Sequence, residues 1–263
     1  MTNKDHIKTA ISYLTEKLKD NQPKVRVKAA EALGNIGLET GITGLLLALE
    51  DSDDYVRAKA AEALGNISSE VAVPELLLAL EDFDDSVRKK TAEALGTIRS
   101  KAAIPGLLKA LEDSNKYVRN KVVEALGNIG SDIAVPELLK TLEDSNVSVR
   151  IYTVEALAKI NSELSILGLL KALEDSDEYV RRNAVQALSN INSQATIPGL
   201  ILALEHSNEN VRKTAAEVLG EIGTEETIDY LINVTSKDED DSVCLSTIAA
   251  ISKLCSRYKE VFH

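Results

Sequence analysis

Apolar and polar positions along this chain recur with a period of 31 residues. The dipeptide Val-Arg marks the period, and its Val is found at Val25, Val56, Val87, Val118, Val149, Val180 and Val211. An eighth copy at Val243 comes one residue late and is followed by Cys244 instead of Arg. Repetition at a fixed period of this size indicates an architecture of stacked structural units.

Each period contains two apolar stripes with helical spacing. In the segment from Val73 to Asp82, Leu76, Leu77 and Leu80 lie at i, i+1 and i+4. In the segment that begins at Val56, the apolar residues lie at i, i+4, i+7, i+8 and i+11. Pro74 stands at the start of the first segment, where a missing N–H is tolerated. The pattern therefore predicts two helices per unit and no strands.

Capping residues support the boundaries of the second helix. An Asp or Asn precedes its Val by three residues and is predicted to cap the helix N-terminus. These residues are Asp53, Asp84, Asn115, Asn146, Asp177 and Asn208. Gly37, Ser68 and Gly130 follow three of these helices and are predicted to end them.

A two-helix unit cannot bury both stripes alone, but a stack of identical units can. We therefore predict an all-α superhelix, a solenoid of about eight two-helix repeats that forms a single domain over residues 1–263. The predicted units are about 5–37, 38–68, 69–99, 100–130, 131–161, 162–192, 193–223 and 224–263. The last unit departs from the pattern, as expected of a terminal cap.

The repeated pattern A-(I/V)-P-x-L-L-x-A-L-E-D-S-(D/N)-x-x-V-R closely resembles HEAT-like repeats, and more narrowly the phycobilisome-lyase type. The resemblance implies a ladder in which an Asp near the end of the first helix pairs with the Arg of the second. The matching pairs are six residues apart, as in Asp20 with Arg26 and Asp51 with Arg57. His206 replaces the Asp before Arg212, so we expect the ladder to weaken toward the C-terminus.

Composition narrows the possible partners. The formal net charge is −12, which disfavours binding to the phosphate backbone of nucleic acids. The N-terminal sequence has no apolar stretch long enough for a signal or membrane segment, so no membrane partner and a cytoplasmic location are expected. The repeat class includes subunits of bilin lyases, and this leaves a phycobiliprotein open as an alternative partner.

Catalytic and metal-binding patterns are weak in this sequence. His6, His206 and His263 lie far apart, and none forms the His-Glu dipeptide of the iron-binding hydroxylases that share the repeat. The Asp-rich loops lack the Gly and the terminal Glu of a calcium-binding loop. Cys244 and Cys255 are interpreted as small buried hydrophobic residues. We therefore expect no cofactor, no metal site and no catalytic residues.

The remaining candidates for function are second-helix positions that face away from the core, which line the concave face in HEAT arrays. The predicted partner-binding residues are Tyr55, Lys59, Lys90, Tyr117, Lys121, Tyr152, Tyr179 and Arg182. Exposed Tyr offers contact area at low entropic cost, whereas Lys and Glu three residues apart are ordinary surface pairs. The hypothesis is a non-enzymatic scaffold that binds a protein partner; the alternative is a bilin lyase subunit or a factor for phycobilisome assembly or degradation.

Overall fold

The computed structural model describes residues 3–191 and 196–259, and over these ranges the secondary structure is helical with no strand. The chain divides into two compact units, Met1–Glu137 and Leu138–His263. The division falls inside one helix, and the expectation of a single domain stays a prediction.

Unit 1 consists of paired first and second helices. They are α1 (Asn3–Lys17), α2 (Pro23–Ile36), α3 (Ile42–Ala48), α4 (Asp54–Ile67), α5 (Val73–Ala79), α6 (Asp85–Ile98), α7 (Ile104–Ala110) and α8 (Lys116–Ile129). Single 3-10 turns at Glu39–Gly41, Glu70–Ala72 and Lys101–Ala103 lead into α3, α5 and α7, and a fourth at Asp132–Ala134 leads into α9 (Val135–Thr141). The first helix of a repeat is shorter than the segment predicted for it. Helix α5 ends at Ala79, whereas the predicted segment runs from Val73 to Asp82.

Unit 2 continues the same alternation of helices. They are α10 (Val147–Ile160), α11 (Glu163–Ala172), α12 (Glu178–Ile191), α13 (Ile197–Ala203), α14 (Glu209–Ile222), α15 (Thr227–Lys237) and α16 (Asp241–Tyr258). Within both units, Val, Leu and Ala at the repeated apolar positions form the core. The all-α HEAT-like solenoid predicted from the repeat is confirmed.

The predicted caps of the second helices are confirmed. The Asp53 carboxylate accepts a hydrogen bond from the Val56 N–H, and Asn115 accepts one from the Tyr117 N–H. The corresponding residues Asp84, Asn146, Asp177 and Asn208 accept main-chain N–H groups in the same way. Each cap satisfies donors that a helix N-terminus otherwise leaves without partners.

Helix α4 ends at Ser68, where the backbone is left-handed, and this position allows a test of what that conformation costs a residue with a side chain. Gly37 and Gly130 have φ of 69° and 68°, whereas Ser68 adopts φ of 57° with a side chain present. Because a β-carbon disfavours this left-handed region, we expect Ser68→Gly to raise the free energy of unfolding by about 0.5–1 kcal/mol in urea melts. Ser52→Gly is the control, since Ser52 is not among the positive-φ residues; an equal gain there would contradict this explanation.

The Asp–Arg ladder is present, but its pairs differ from the prediction. The Arg57 guanidinium donates from Nε and Nη2 to Asp82, 25 residues downstream, at 2.7 and 2.9 Å. Its Nη1 donates to the main-chain carbonyl oxygen of Asp51 at 2.8 Å. The residue six positions upstream therefore supplies a backbone acceptor, and the carboxylate comes from the next repeat, so each pair clamps two neighbouring repeats together.

Five described pairs share this geometry, with Nε–Oδ2 distances of 2.6 to 2.7 Å. They are Arg26–Asp51, Arg57–Asp82 and Arg88–Asp113 in unit 1, and Arg150–Asp175 and Arg212–Asp238 in unit 2. The prediction that the ladder weakens toward the C-terminus is wrong for Arg212. Asp238 accepts its hydrogen bonds, although it lies 26 residues downstream and not 25 as in the other pairs. The interruption lies one repeat earlier, because His206 occupies the position of the Asp that would pair with Arg181.

Burial and hydrogen bonding act in opposite directions on the ladder carboxylates. Burial raises the pKa of Asp82, but the hydrogen bonds from Arg57 and from the Asp84 N–H, with the charge of Arg57, outweigh it. The pKa of Asp82 is consequently lowered from its ordinary value, and the hydrogen bond to Asp82 raises the pKa of Arg57. Both groups of the pair are therefore held in their charged forms.

Candidate partner-binding surface

We define the second-helix face as the exposed side of helices α2, α4, α6 and α8 in unit 1, and of α10, α12 and α14 in unit 2. Tyr55 and Tyr117 lie in the first turns of α4 and α8 with 75% and 59% of their surface exposed. Tyr179 lies in the first turn of α12 and is 64% exposed, whereas Tyr152 on α10 is half-buried. Three of the four predicted tyrosines thus present most of their surface to solvent.

Tyr55 borders a recess at the start of the second-helix face in unit 1. The recess has a volume of about 790 Å³ and is lined by Asn21, Gln22, Pro23, Lys24, Val27, Lys28, Asp53 and Tyr55. Apolar surface from Pro23, Val27 and the Tyr55 ring meets the polar groups of two lysines and an aspartate there. Sequence reasoning identified Tyr55 but missed the recess, since its walls come from two repeats.

The predicted lysines of unit 1 are engaged within the protein. Lys59 donates to Glu62 at 2.7 Å, Lys121 donates to Glu124 at 2.9 Å, and Lys90 donates to Glu93 at 3.3 Å. Lys90 also lies 3.5 Å from Glu62 on the preceding second helix. These contacts match the interpretation of the Lys and Glu columns as surface pairs, and they leave the tyrosines as the more available groups.

The second-helix face of unit 2 has a different composition. The lysine column of unit 1 is occupied here by Tyr152, Asn183 and Thr214. Arg182 is exposed and forms an ion pair with Glu178 at 3.0 Å on its own helix. The predicted residues of unit 2 are therefore isolated contact positions and not part of a charged network.

A groove of about 820 Å³ lies between α12 and α14 on this face. It is lined by Val185, Gln186, Ser189, Asn190, Glu217, Val218, Glu221 and Ile222. Sequence reasoning missed the groove, although a signal was present. Ser189 stands where the second helices of unit 1 have Gly, and Val218 stands where they have Ala.

Groups suited to other chemistry are dispersed. Among the described residues, no three His, Cys, Asp or Glu side chains are placed to hold a metal ion, and no helix is long and apolar enough to cross a membrane. His263 lies outside the described residues. Cys244 is half-buried, but Cys255 is exposed, so the interpretation of both as buried residues is wrong for Cys255.

Comparison with protein families identifies the repeat. The family profile described as HEAT repeats matches residues 42–120, 104–167 and 166–252, and a second profile, HEAT repeat, matches residues 10–38. None of the curated proteins matches the sequence significantly.

Solved structures show the same fold. The complex of CpcE and CpcF of phycocyanin lyase from Nostoc sp. PCC7120 is 23% identical, with a TM-score of 0.54 over 93% of this chain and 94% of that one. YibA of Escherichia coli is 21% identical, with a TM-score of 0.55 over 97% of both chains. An engineered protein is 24% identical, with a TM-score of 0.51 over 94% of this chain and 78% of that one. From the matched profiles and the repeated helix pairs, the chain belongs to the HEAT-repeat family.

Proposed function

We propose that this protein is a non-enzymatic interaction scaffold that binds a protein partner through its second-helix face. The observation that carries the proposal is the exposure of Tyr55, Tyr117 and Tyr179 in the first turns of capped helices. A ring on a capped helix loses little conformational freedom on binding, and Tyr combines apolar area with a hydroxyl group. These residues are therefore suited to anchor a partner.

The charged members of the surface have a supporting role in this proposal. Lys59, Lys90 and Lys121 are paired with glutamates, so contact with a partner would have to replace existing ion pairs. Exposed ion pairs are worth about 0–1 kcal/mol. We therefore assign most of the binding energy to the tyrosines, and register and orientation to the lysines and Arg182.

Affinity capture with a matched pair of variants tests the proposal. In the first variant, Tyr55, Tyr117, Tyr152 and Tyr179 are replaced by Ala, and we expect partner recovery from native extract to fall at least tenfold, since loss of one strong anchor costs about 2 kcal/mol or more. The control replaces Tyr13 and Tyr230, which are also exposed but lie on the first helices α1 and α15. Equal recovery by both variants and the wild type would reject the second-helix face.

The alternative function is a bilin lyase subunit or a factor that handles phycobilisomes. It is motivated by the repeat type and by the fold shared with the CpcE and CpcF complex of phycocyanin lyase. Mixing the purified protein with phycocyanobilin and an apo-phycobiliprotein tests it. A shift of the bilin absorption and a covalent adduct would favour this function over the scaffold, and neither is expected if the scaffold proposal holds.

A further inference from the structure

We propose that the groove between α12 and α14 is a subsite for a lysine side chain of a partner segment. The inference rests on the proposed function, because it assumes that the second-helix face binds a protein, and it adds the chemistry of the partner.

Neighbouring second helices of unit 1 pack closely where a glycine of one helix faces an alanine of the next. A β-carbon on Gly65 would lie 2.8 Å from the Cα of Ala94, closer than such atoms approach, and the pairs Gly34–Ala63 and Gly96–Ala125 are equally tight. In unit 2, Gly220 meets Ala250 in the same way, across α14 and α16. Glycine on one helix and alanine on the next therefore set the close spacing.

This arrangement is lost between α12 and α14. Ser189 occupies the glycine position of α12, and Val218 occupies the alanine position of α14. A side chain at Ser189 excludes the close approach seen at Gly65, and the larger Val218 adds to the separation. Both residues line the resulting groove, whereas the tight Gly220–Ala250 contact keeps α14 and α16 close on its other side.

The groove has an apolar floor and a polar rim. Val185 and Ile222 are half-buried and contribute apolar surface, and the buried Val218 packs beside them in the lining. On the rim, the Gln186 side chain donates to the Asn190 side chain at 2.8 Å, and Glu221 is paired with Lys253. A lysine combines a four-carbon stem that packs on apolar surface with a charged end that reaches a carboxylate.

Glu217 supplies that carboxylate. In unit 1 the glutamate of this column receives an ammonium group from its own helix, as from Lys59 to Glu62, and Glu62 receives a second from Lys90 on the next helix. Around Glu217 both lysine positions are changed, to Thr214 and to Ser246. In the described structure Glu217 accepts only the Ser246 hydroxyl, at 3.3 Å. The equivalent sites of this protein thus show that the position takes an ammonium group, and at the exposed Glu217 the proposed partner lysine supplies it.

The test uses the full chain, labelled with ¹⁵N, and the acetylated and amidated peptide Gly-Ala-Lys-Ala-Gly as the probe. We expect saturable shifts of the Ser189, Asn190 and Glu217 amide signals, and no saturable shifts with the peptide that carries norleucine in place of lysine. The double variant Ser189→Gly and Val218→Ala restores the residues found at tight helix pairs, so it should fold and lose the saturable response. Glu217→Gln should weaken binding roughly fivefold.

Glu93→Gln is the matched control, since it removes a carboxylate of unit 1 that already has Lys90, and binding should be unchanged. The proposal is overturned if the lysine peptide gives no saturable shifts, if norleucine or arginine peptides bind as tightly, or if the closed variant still binds. The assay needs neither the native partner nor the tyrosines. If the lysine peptide does not bind but the Tyr→Ala variant loses partner recovery, the groove proposal is rejected and the proposed function stands.

Discussion

We expect Asp82→Asn to lower the free energy of unfolding by about 3 kcal/mol, because it removes one member of a buried ion pair. Asp82 accepts hydrogen bonds from Arg57 at 2.7 and 2.9 Å and from the Asp84 N–H at 2.9 Å. Arg57 is only 5% exposed, and the centroid of the Phe83 ring lies 4.6 Å from its guanidinium carbon. The variant removes the carboxylate that is hydrogen-bonded to this buried cation, and urea melts followed by circular dichroism would measure the loss.

Glu81→Gln is the control, because it makes the same charge change one residue away on the surface. Its partner Lys109 is exposed, so the free energy of unfolding should change by less than about 1 kcal/mol. A comparable loss in both variants would show that overall charge, and not the buried pair, controls stability.

The pH dependence provides a second check on Asp82→Asn. The pKa of Asp82 is lowered in the folded protein, so its contribution is fully present above the unfolded pKa of about 3.9 and is lost as pH falls through the folded value. The stability difference between wild type and variant should therefore persist at neutral pH and narrow below about pH 4. A constant difference down to the lowest pH would contradict the ion-pair explanation.

The repeat explains why so much of the fold was predictable from the sequence. The caps at Asp53 and Asn115 and the stripes of Val and Leu are local features, and each copy strengthens the inference from the others. The carboxylate that pairs with each Arg of the ladder is not close to that Arg in the sequence. The resemblance to HEAT-like repeats implied Asp51 for Arg57, whereas the stack brings Asp82 of the next repeat to its Nε and Nη2.

The candidate surface was predictable only in part, for a related reason. The exposure of Tyr55 and Tyr179 follows from their place outside the apolar stripes. The recess beside Tyr55 and the groove beside Ser189 depend on how two helices approach, which a single stripe does not encode. Departures from the repeat, such as Gly to Ser at Ser189, mark the places where helix packing changes.

The second large effect that we expect is a gain in stability from His206→Asp. This substitution places an Asp at the one position among the described residues where the Asp–Arg ladder has a His. Arg181 is held as its equivalents are, with Nη1 donating to the carbonyl oxygens of Asp175 and Ser176 at 2.6 and 3.0 Å. Its Nε and Nη2 form no described bond to a carboxylate, because His206 stands at the Asp position. We expect His206→Asp to raise the free energy of unfolding by about 1–2 kcal/mol in urea melts, as two charge-assisted hydrogen bonds form.

The histidine already performs one of the two roles of the missing aspartate. Its Nδ1 accepts the Asn208 N–H at 3.0 Å, as the Asp51 carboxylate accepts that of Asp53, and its Nε2 lies 2.9 Å from Glu174. An Asp at this position would keep the turn and add the clamp, at the cost of the contact to the exposed Glu174. The net gain therefore depends on Arg181.

A double-mutant cycle isolates that dependence. If the gain comes from the restored pair, His206→Asp should stabilise the wild type but give no gain in an Arg181→Met background, with a coupling energy of about 1–2 kcal/mol. A gain of equal size in both backgrounds would attribute the effect to the hydrogen bond with the Asn208 N–H in the turn, and not to Arg181. Loss of the gain with Arg181→Met would establish that the stabilisation comes from the carboxylate that position 206 supplies to Arg181.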